Sequence, residues 1–340
     1  MKKILVTGGS GFIGSNFIRY MLKSEDDIEI VNLDSLTYAG NPQNLIDIQK
    51  NFSSRYSFVR GDICDGRVID RVFSDNSPDA VINFAAESHV DRSIEDPNVF
   101  IKTNVLGTSV LLNTAKKYWK NDIENKRFIQ ISTDEVYGSL PEDDPEVKFT
   151  ERTPLNPHSP YSASKTSADM IAKSFFDTYG FPLLVTRCSN NYGPFQFPEK
   201  LIPVIISKAM KNEYLPVYGD GKNIRDWLFV DDHCSAIRAV LDKGSIGEIY
   251  NIGGNNEIQN IEIVKMILDY LGKPHSLITY VKDRLGHDRR YAIDASKIKK
   301  EIGWEPVSKF EEKIIFTIEW YVNNQKWIED IITGKYQSER

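Results

Sequence analysis

The sequence predicts an α/β protein, a doubly wound parallel sheet with helices on both faces, followed by a smaller C-terminal α/β domain. Three features carry that expectation. Strand-like apolar runs alternate with helical patterns through the first half, a glycine-rich turn joins the first run to the first helix, and the texture changes after about Cys188. Alternation of this kind favours a parallel sheet, because each crossover helix returns the chain to the same edge.

Strands are expected at residues 4–7, 28–33, 56–60, 80–85, 128–132 and 183–187, short apolar runs of the kind buried on both faces. The first helix is expected at 12–22. Three later helical starts place a capping side chain ahead of proline: Asn41 before Pro42, Asp96 before Pro97 and Ser159 before Pro160. The second of these helices runs to about Trp119 and is apolar on more than one face (Phe100, Val105, Leu106, Val110, Leu111, Leu112, Tyr118, Trp119). The helix after Tyr161 adds Met170, Ile171, Phe175, Phe176 and Tyr179. One face of each must cover the sheet, and the surplus is expected to meet a twofold mate in a four-helix interface. The turn cluster Asn190-Asn191-Tyr192-Gly193-Pro194 opens the smaller domain, so the expected division is residues 1–188 and 189–340, with the chain free to thread back.

Composition narrows the function classes. The 340 residues suffice for a large core. A net charge of −6 gives no general attraction to nucleic acid or anionic lipid. Cys64, Cys188 and Cys234 are odd in number and far apart, which fits buried thiols rather than a disulfide framework. The five histidines lack the close spacing of a metal site, so no metal is expected. No run is long enough to span a bilayer, and the apolar start at Ile4–Leu5–Val6 is too short for a signal peptide. A cytoplasmic location is the expectation.

The most informative motif is Thr7-Gly8-Gly9-Ser10-Gly11-Phe12-Ile13-Gly14. Gly8 permits the tight turn, Gly11 lets the backbone approach a pyrophosphate, and Gly14 allows close helix–strand packing. The helix end then offers free N–H groups to that anion. Asp34 stands twenty residues beyond Gly14, at the end of the second strand. A carboxylate there accepts from both ribose hydroxyls and repels a 2′-phosphate, so NAD is expected rather than NADP. Asp62 and Ile63 are placed to bracket the adenine, although Asp62 could equally cap the next helix. Phe84-Ala85-Ala86, at the end of strand four, let the dinucleotide pass close by.

Tyr161 and Lys165 open a helix one turn apart and share a face. The ammonium is expected to stabilise the phenolate and bring it toward neutrality, with the oxidised nicotinamide's charge adding to the effect. Ser132-Thr133-Asp134-Glu135-Val136-Tyr137-Gly138 follows at the C-terminal end of strand five, the side of a parallel sheet where ligands bind.

Taken together, the glycine pattern, Asp34, Asn104, Ser132–Thr133 and the Tyr161/Lys165 pair resemble the extended short-chain dehydrogenase/reductase family over nearly the whole chain. Further strings resemble its sugar-dehydrating members: Asp34 to Asn41, Ala85-Ala86-Glu87-Ser88-His89-Val90-Asp91, Asp134-Glu135, and Gly286-His287-Asp288-Arg289-Arg290-Tyr291. The resemblance implies a Rossmann-type domain, bound NAD, a nucleotide-sugar substrate (dTDP-glucose) gripped by the C-terminal domain, and a homodimer. It implies cofactor contacts at Gly8, Gly11, Phe12, Ile13, Gly14, Asp34, Ser35, Leu36, Thr37, Asp62, Ile63, Phe84, Ala85, Ala86, Thr103, Tyr161, Lys165 and Asn191. Substrate contacts are implied at Ser88, Thr133, Asn190, Lys200, Leu201, Pro216, Val217, Tyr218, Arg225, Asn260, Asp283, Arg284 and His287. Arg225 is the expected diphosphate ligand, since a guanidinium grips phosphate bidentately. Leu285 departs from the proline usual in the family's Asp-Arg-Pro-Gly-His string.

The chemistry implied has no net redox change: a hydride leaves C4 of the sugar and returns at C6 as water is lost across C5 and C6. Thr133 would hold O4, Tyr161 would take its proton, Glu135 would take the C5 proton and a protonated Asp134 would serve the departing hydroxyl. An acid and a base side by side need environments that push their pKa values apart. The alternatives are a UDP-glucose 4,6-dehydratase, a nucleotide-sugar 4-epimerase, or an NAD-sensing protein without turnover.

Overall fold

The computed structural model describes residues 2–337. Its strands are β1 (Lys2–Thr7), β2 (Ile28–Asp34), β3 (Tyr56–Arg60), β4 (Ala80–Asn83), β5 (Arg127–Thr133), β6 (Leu183–Cys188), β7 (Asn190–Tyr192), β8 (Leu215–Tyr218), β9 (Ile224–Phe229), β10 (Ile249–Ile252), β11 (Glu257–Gln259) and β12 (Ile278–Val281). The α-helices are α1 (Phe12–Ser24), α2 (Ile46–Asn51), α3 (Gly66–Asn76), α4 (Val90–Glu95), α5 (Pro97–Phe100), α6 (Thr108–Trp119), α7 (Pro160–Tyr179), α8 (Leu201–Met210), α9 (Val230–Lys243), α10 (Asn260–Tyr270), α11 (Ser296–Ile302), α12 (Phe310–Asn323) and α13 (Gln325–Ile332).

Seven strands form one sheet in the order β10-β6-β5-β4-β1-β2-β3, every pair parallel. The order reverses between β1 and β4, and ligands of such sheets bind beyond the strand ends at that point. Two apolar layers cover its faces. One centres on Ile4, Val6, Phe17, Ile18 and Ile237, the other on Leu5, Val31, Phe73, Leu111, Leu112 and Phe128. Strand burial on both sides explains why the inner segments read as continuous apolar runs, whereas β3, at the edge of the sheet, is mostly exposed beyond the buried Tyr56.

A smaller α/β region lies beyond the sheet. The three-stranded sheet β11-β9-β7 and the pair β12-β8 enclose a second core of Tyr192, Ile205, Ile206, Trp227, Ile263, Ile267, Phe310 and Tyr321 with α8, α10, α12 and α13. The chain also returns to the main sheet, where β10 pairs with β6 and α9 packs on α1.

Three local outcomes bear on the sequence reading. β4 ends at Asn83, so Phe84–Ala86 lie in the loop beyond it, still tied to the sheet by Phe84 N–H donating to the Thr7 carbonyl. The expected helix from Pro97 to Trp119 keeps its course but widens into π-helical bonding over Ile101–Gly107. Inside that stretch the buried Asn104 turns its amide inward, accepting from Glu87 N–H at 2.8 Å and donating to Ser164 Oγ at 2.8 Å; such widened turns recur at functional sites. The apolar surplus also differs in part. Phe100, Leu111, Leu112, Trp119 and Phe175 are core, while the exposed apolar side chains along α5, the π-helical stretch and α7 are Val99, Ile101, Leu106, Met170 and Tyr179.

Candidate active site

The turn after β1 is built by sterics. Gly8 adopts φ +68, and a Cβ there would lie 2.7 Å from the Ala85 nitrogen. A Cβ on Gly14 would lie 2.4 Å from the Gly8 carbonyl oxygen, so helix and turn touch backbone to backbone. Gly11 is the N-cap of α1 and supplies no capping side chain, which leaves the first N–H groups of the helix open to an anion. Asp34 is buried, with one carboxylate oxygen accepting from Ser10 N–H at 2.9 Å and the other from Leu36 N–H at 2.8 Å. The glycine turn and the acidic residue are therefore one hydrogen-bonded unit.

A cavity of about 360 Å³ opens along this unit and continues over the ends of β4, β5 and β6. It is lined by every expected cofactor residue except Leu36, and by all five expected catalytic residues. Leu36 instead buries its side chain at positive φ and contributes its N–H to Asp34. Asp62 belongs to the cavity rather than to a helix cap: α3 is capped by Asp65, whose side chain accepts from Arg67 and Val68 N–H. The residues present thus fit a dinucleotide, with an open helix end for its pyrophosphate and a fixed carboxylate for its ribose.

At the far end of the cavity the catalytic groups converge. β5 ends at Thr133, whose hydroxyl accepts from Glu135 N–H at 3.3 Å and donates to Asp134 Oδ1 at 3.2 Å. Asp134 Oδ2 is buried and has no hydrogen-bond partner among the described residues. Burial, then the charges of Glu135 and Asp226, push the Asp134 carboxyl well above its ordinary range. Burial also raises Glu135, but Lys200, Arg225 and Arg284 oppose the shift.

The Ser159 capping box starts α7 and sets Tyr161 and Lys165 on its inner face. Here the expected electrostatics is corrected. Burial and the charges of Glu135, Cys188 and Asp134 raise the Tyr161 phenol well above its ordinary value rather than lowering it. The Lys165 ammonium is also buried and held down by desolvation, and it donates to the Ile131 carbonyl at 2.6 Å. Desolvation is the largest cause of the shift at both groups.

Among the expected substrate residues, Ser88, Thr133, Asn190 and Lys200 line the cavity, and Lys200 Nζ donates to the Ser88 carbonyl at 3.1 Å. The others lie outside its walls. Leu201 and Val217 pack with the second core, and Pro216 lies beside Val217 in β8. Asn260 opens α10, its Oδ1 buried without a hydrogen-bond partner among the described residues. Tyr218, half exposed, meets His287 edge-on, and His287 pairs with Asp283 at 2.7 Å. Arg284 reaches Asp91 at 2.9 Å. Arg225 is buried with its guanidinium donating to the carbonyls of Ile224 and Asp288, each at 2.8 Å, so the expected diphosphate ligand is engaged with backbone here. Leu285 is exposed in this loop.

The cavity also holds residues that the sequence reading missed: Gly40, Glu87, Cys188, Gln196, Phe197 and Glu199. Glu87 lies inside a string already singled out, so its position was within reach. Phe197 and Glu199 enter only because the segment after β7 folds back over the cofactor side. His233 stands behind Asn191, with Nδ1 2.9 Å from its Oδ1, and burial pushes the imidazole down to about 3, which keeps it neutral.

Comparisons with known proteins agree with this geometry. The family model described as GDP-mannose 4,6 dehydratase matches residues 5–315. The chain is 55% identical over 349 residues to a dTDP-glucose 4,6-dehydratase of Xanthomonas campestris pv. campestris (strain B100), covering 99% of this chain and 97% of that protein. A dTDP-glucose 4,6-dehydratase from Bacillus anthracis, solved in complex with NAD, superposes with a TM-score of 0.89 at 50% identity, covering 97% of this chain and 100% of the other. The Streptomyces venezuelae enzyme of the same name, also solved with NAD, gives 0.91 at 45% identity, covering 97% and 99%. The chain belongs to the dTDP-glucose 4,6-dehydratase family, within the extended short-chain dehydrogenase/reductases.

Proposed function

We propose that the protein catalyses the NAD-dependent dehydration of dTDP-glucose to dTDP-4-dehydro-6-deoxy-glucose. The observation that carries this is a single cavity running from the glycine turn and Asp34 to Thr133, Asp134, Glu135, Tyr161 and Lys165. The chemistry that NAD supplies when bound is reversible storage of one hydride, taken from C4 of the sugar and returned to C6. Gly8, Gly11, Gly14 and Asp34 would hold it, with Asp62 and Ile63 placed to bracket the adenine.

The protein's own groups move the protons. Thr133 holds O4, and Tyr161 takes its proton; burial raises the phenol in the protein alone, and the Lys165 ammonium, together with the positive charge of a bound oxidised cofactor, would favour the phenolate. The C4 ketone acidifies the C5 hydrogen, which Glu135 removes. Asp134, kept protonated by its buried and acidic surroundings, donates to the C6 hydroxyl so that it leaves as water. C5 is then reprotonated as hydride arrives at C6, and atoms and electrons balance with only water lost.

In this reading residues 1–188 bind the dinucleotide, and residues 189–340, apart from the returning α9 and β10, bind the nucleotide sugar. The exposed apolar stripe of Val99, Ile101, Leu106 and Met170 on adjacent helices is the contact face of a homodimer, closed as four helices around a twofold axis. Among the described residues no helix is long and apolar enough to cross a membrane, which accords with action on a cytoplasmic metabolite.

A turnover panel of dTDP-, UDP- and GDP-hexoses, with products identified by NMR, tests the assignment. The expected result is a 4-keto-6-deoxy product from dTDP-glucose with the highest kcat/KM. Preference for UDP-glucose would make the protein a UDP-sugar dehydratase, and a C4-inverted product without loss of water would make it an epimerase.

A further inference from the structure

The C-terminal helix and the turn after it carry two aromatic side chains that reach the cofactor half of the cavity from outside it. Trp327, in α13, is buried, and its indole N–H donates to Asn44 Oδ1 at 2.9 Å. Asn44 Nδ2 in turn donates to the Ser10 carbonyl at 3.0 Å, within the glycine turn, and Ser10 N–H donates to Asp34. Beyond α13, Gly334 adopts φ +72 and turns the chain back. Tyr336 is thereby buried, and its hydroxyl donates to the Tyr38 carbonyl. Tyr38 sits between Thr37 and Ala39, both cavity-lining residues on the loop that follows Asp34. The Tyr336 ring also meets Phe197 edge-on at 6.2 Å, and Phe197 meets Tyr38 edge-on at 5.6 Å.

Both contacts from this one short segment thus fall on the connection between β2 and α2, at Tyr38 and at Asn44, and Asn44 carries the second on to Ser10 in the glycine turn, across about three hundred residues of sequence. A loop that closes on a ligand lowers affinity by the fraction of time it spends elsewhere, and a brace that holds it in place recovers that loss. We infer that Tyr336 and Trp327 are positioning residues that brace the glycine turn and the Asp34–Gly40 loop, and so slow the release of NAD. The reaction demands this, because a cofactor that left with the stored hydride would strand a half-converted sugar. The inference rests on the NAD reading given above.

The test is the rate at which bound NAD in the full-length protein exchanges with labelled NAD, measured for the wild type, Tyr336→Phe, Tyr336→Ala and Trp327→Phe. Loss of one hydrogen bond predicts exchange about fivefold faster in Tyr336→Phe and Trp327→Phe, and loss of the ring as well predicts about tenfold or more in Tyr336→Ala. At saturating NAD, kcat should stay within about twofold of wild type, and the cofactor-free proteins should melt alike. Wild-type exchange in Tyr336→Ala overturns the inference. So does a fall in saturated kcat and cofactor-free melting temperature that accounts for the whole effect, which would make the segment a general structural element. A wild-type protein that bound no NAD would fail at the first measurement and would overturn the cofactor reading itself.

Discussion

Asp134 and Glu135 are adjacent in the chain yet sit in opposed electrostatic company. Beyond burial, Asp134 is raised further by Glu135 and Asp226 with only Arg225 among the cations opposing, whereas Glu135 is held back by Lys200, Arg225 and Arg284 against the single acid Asp288. This is the separation that one acid and one base need in order to act side by side. Both side chains line the same cavity, directly after the end of β5.

A bell-shaped dependence of kcat on pH is therefore expected, with the two limbs belonging to the coupled pair. Activity falls on the acid side as Glu135 gains a proton and on the alkaline side as Asp134 loses one. Lys200→Met removes the first cation opposing the rise of Glu135. Its carboxyl should then move up, and the acid limb should shift to higher pH. A limb that stays in place, measured from kcat at saturating substrate, would show that Lys200 does not tune this base.

Variants of the catalytic groups should stop the reaction at different points. Tyr161→Phe should lower C4 oxidation by about 10²–10⁴-fold, seen as failure of the reduced-cofactor absorbance to appear on mixing with substrate. Glu135→Gln should allow that absorbance to appear while slowing water loss by a similar factor. Turnover unchanged in Glu135→Gln would remove Glu135 as the C5 base.

The glycine turn offers a steric test. In Gly14→Ala the new methyl would meet the Gly8 carbonyl oxygen at 2.4 Å, a backbone atom that can yield only by opening the turn. Overpacking of this kind costs about 1–3 kcal/mol, so NAD affinity by titration calorimetry should drop about ten- to a hundredfold. Gly11→Ala meets the Gly8 carbonyl oxygen at 3.3 Å and little else, so it should affect packing less and act mainly on the ligand.

The apolar stripe on α5 to α7 makes an assembly prediction. If this face closes the proposed homodimer, Leu106→Glu with Met170→Lys should yield monomer in sedimentation equilibrium where the wild type sediments as a dimer, and remove the concentration dependence of Tm. A wild-type protein that sediments as a monomer would leave this face to another purpose.

Much of this site was legible in the residues because its chemistry needs particular backbone. Gly8 and Gly14 admit no Cβ, Asp34 must end a strand, and Tyr161 and Lys165 must lie one helical turn apart, so each left a fixed spacing. The direction of the Tyr161 shift was not legible, because desolvation depends on what packs around the phenol. Nor was the engagement of Arg225 with the Ile224 and Asp288 carbonyls, which arises from contact between β9 and a loop sixty residues away. Phe197 and Tyr336 joined the cofactor side through tertiary folding alone, and no local pattern marks either one.

The central claim is that one hydride leaves the sugar at C4 and re-enters the same molecule at C6. dTDP-glucose deuterated at C4, converted in ordinary water and examined by NMR and mass spectrometry, tests it directly. The account predicts deuterium in the C6 methyl group of the product and a solvent proton at C5. A methyl group carrying only solvent hydrogen, or reduced cofactor released in proportion to sugar consumed, would contradict it.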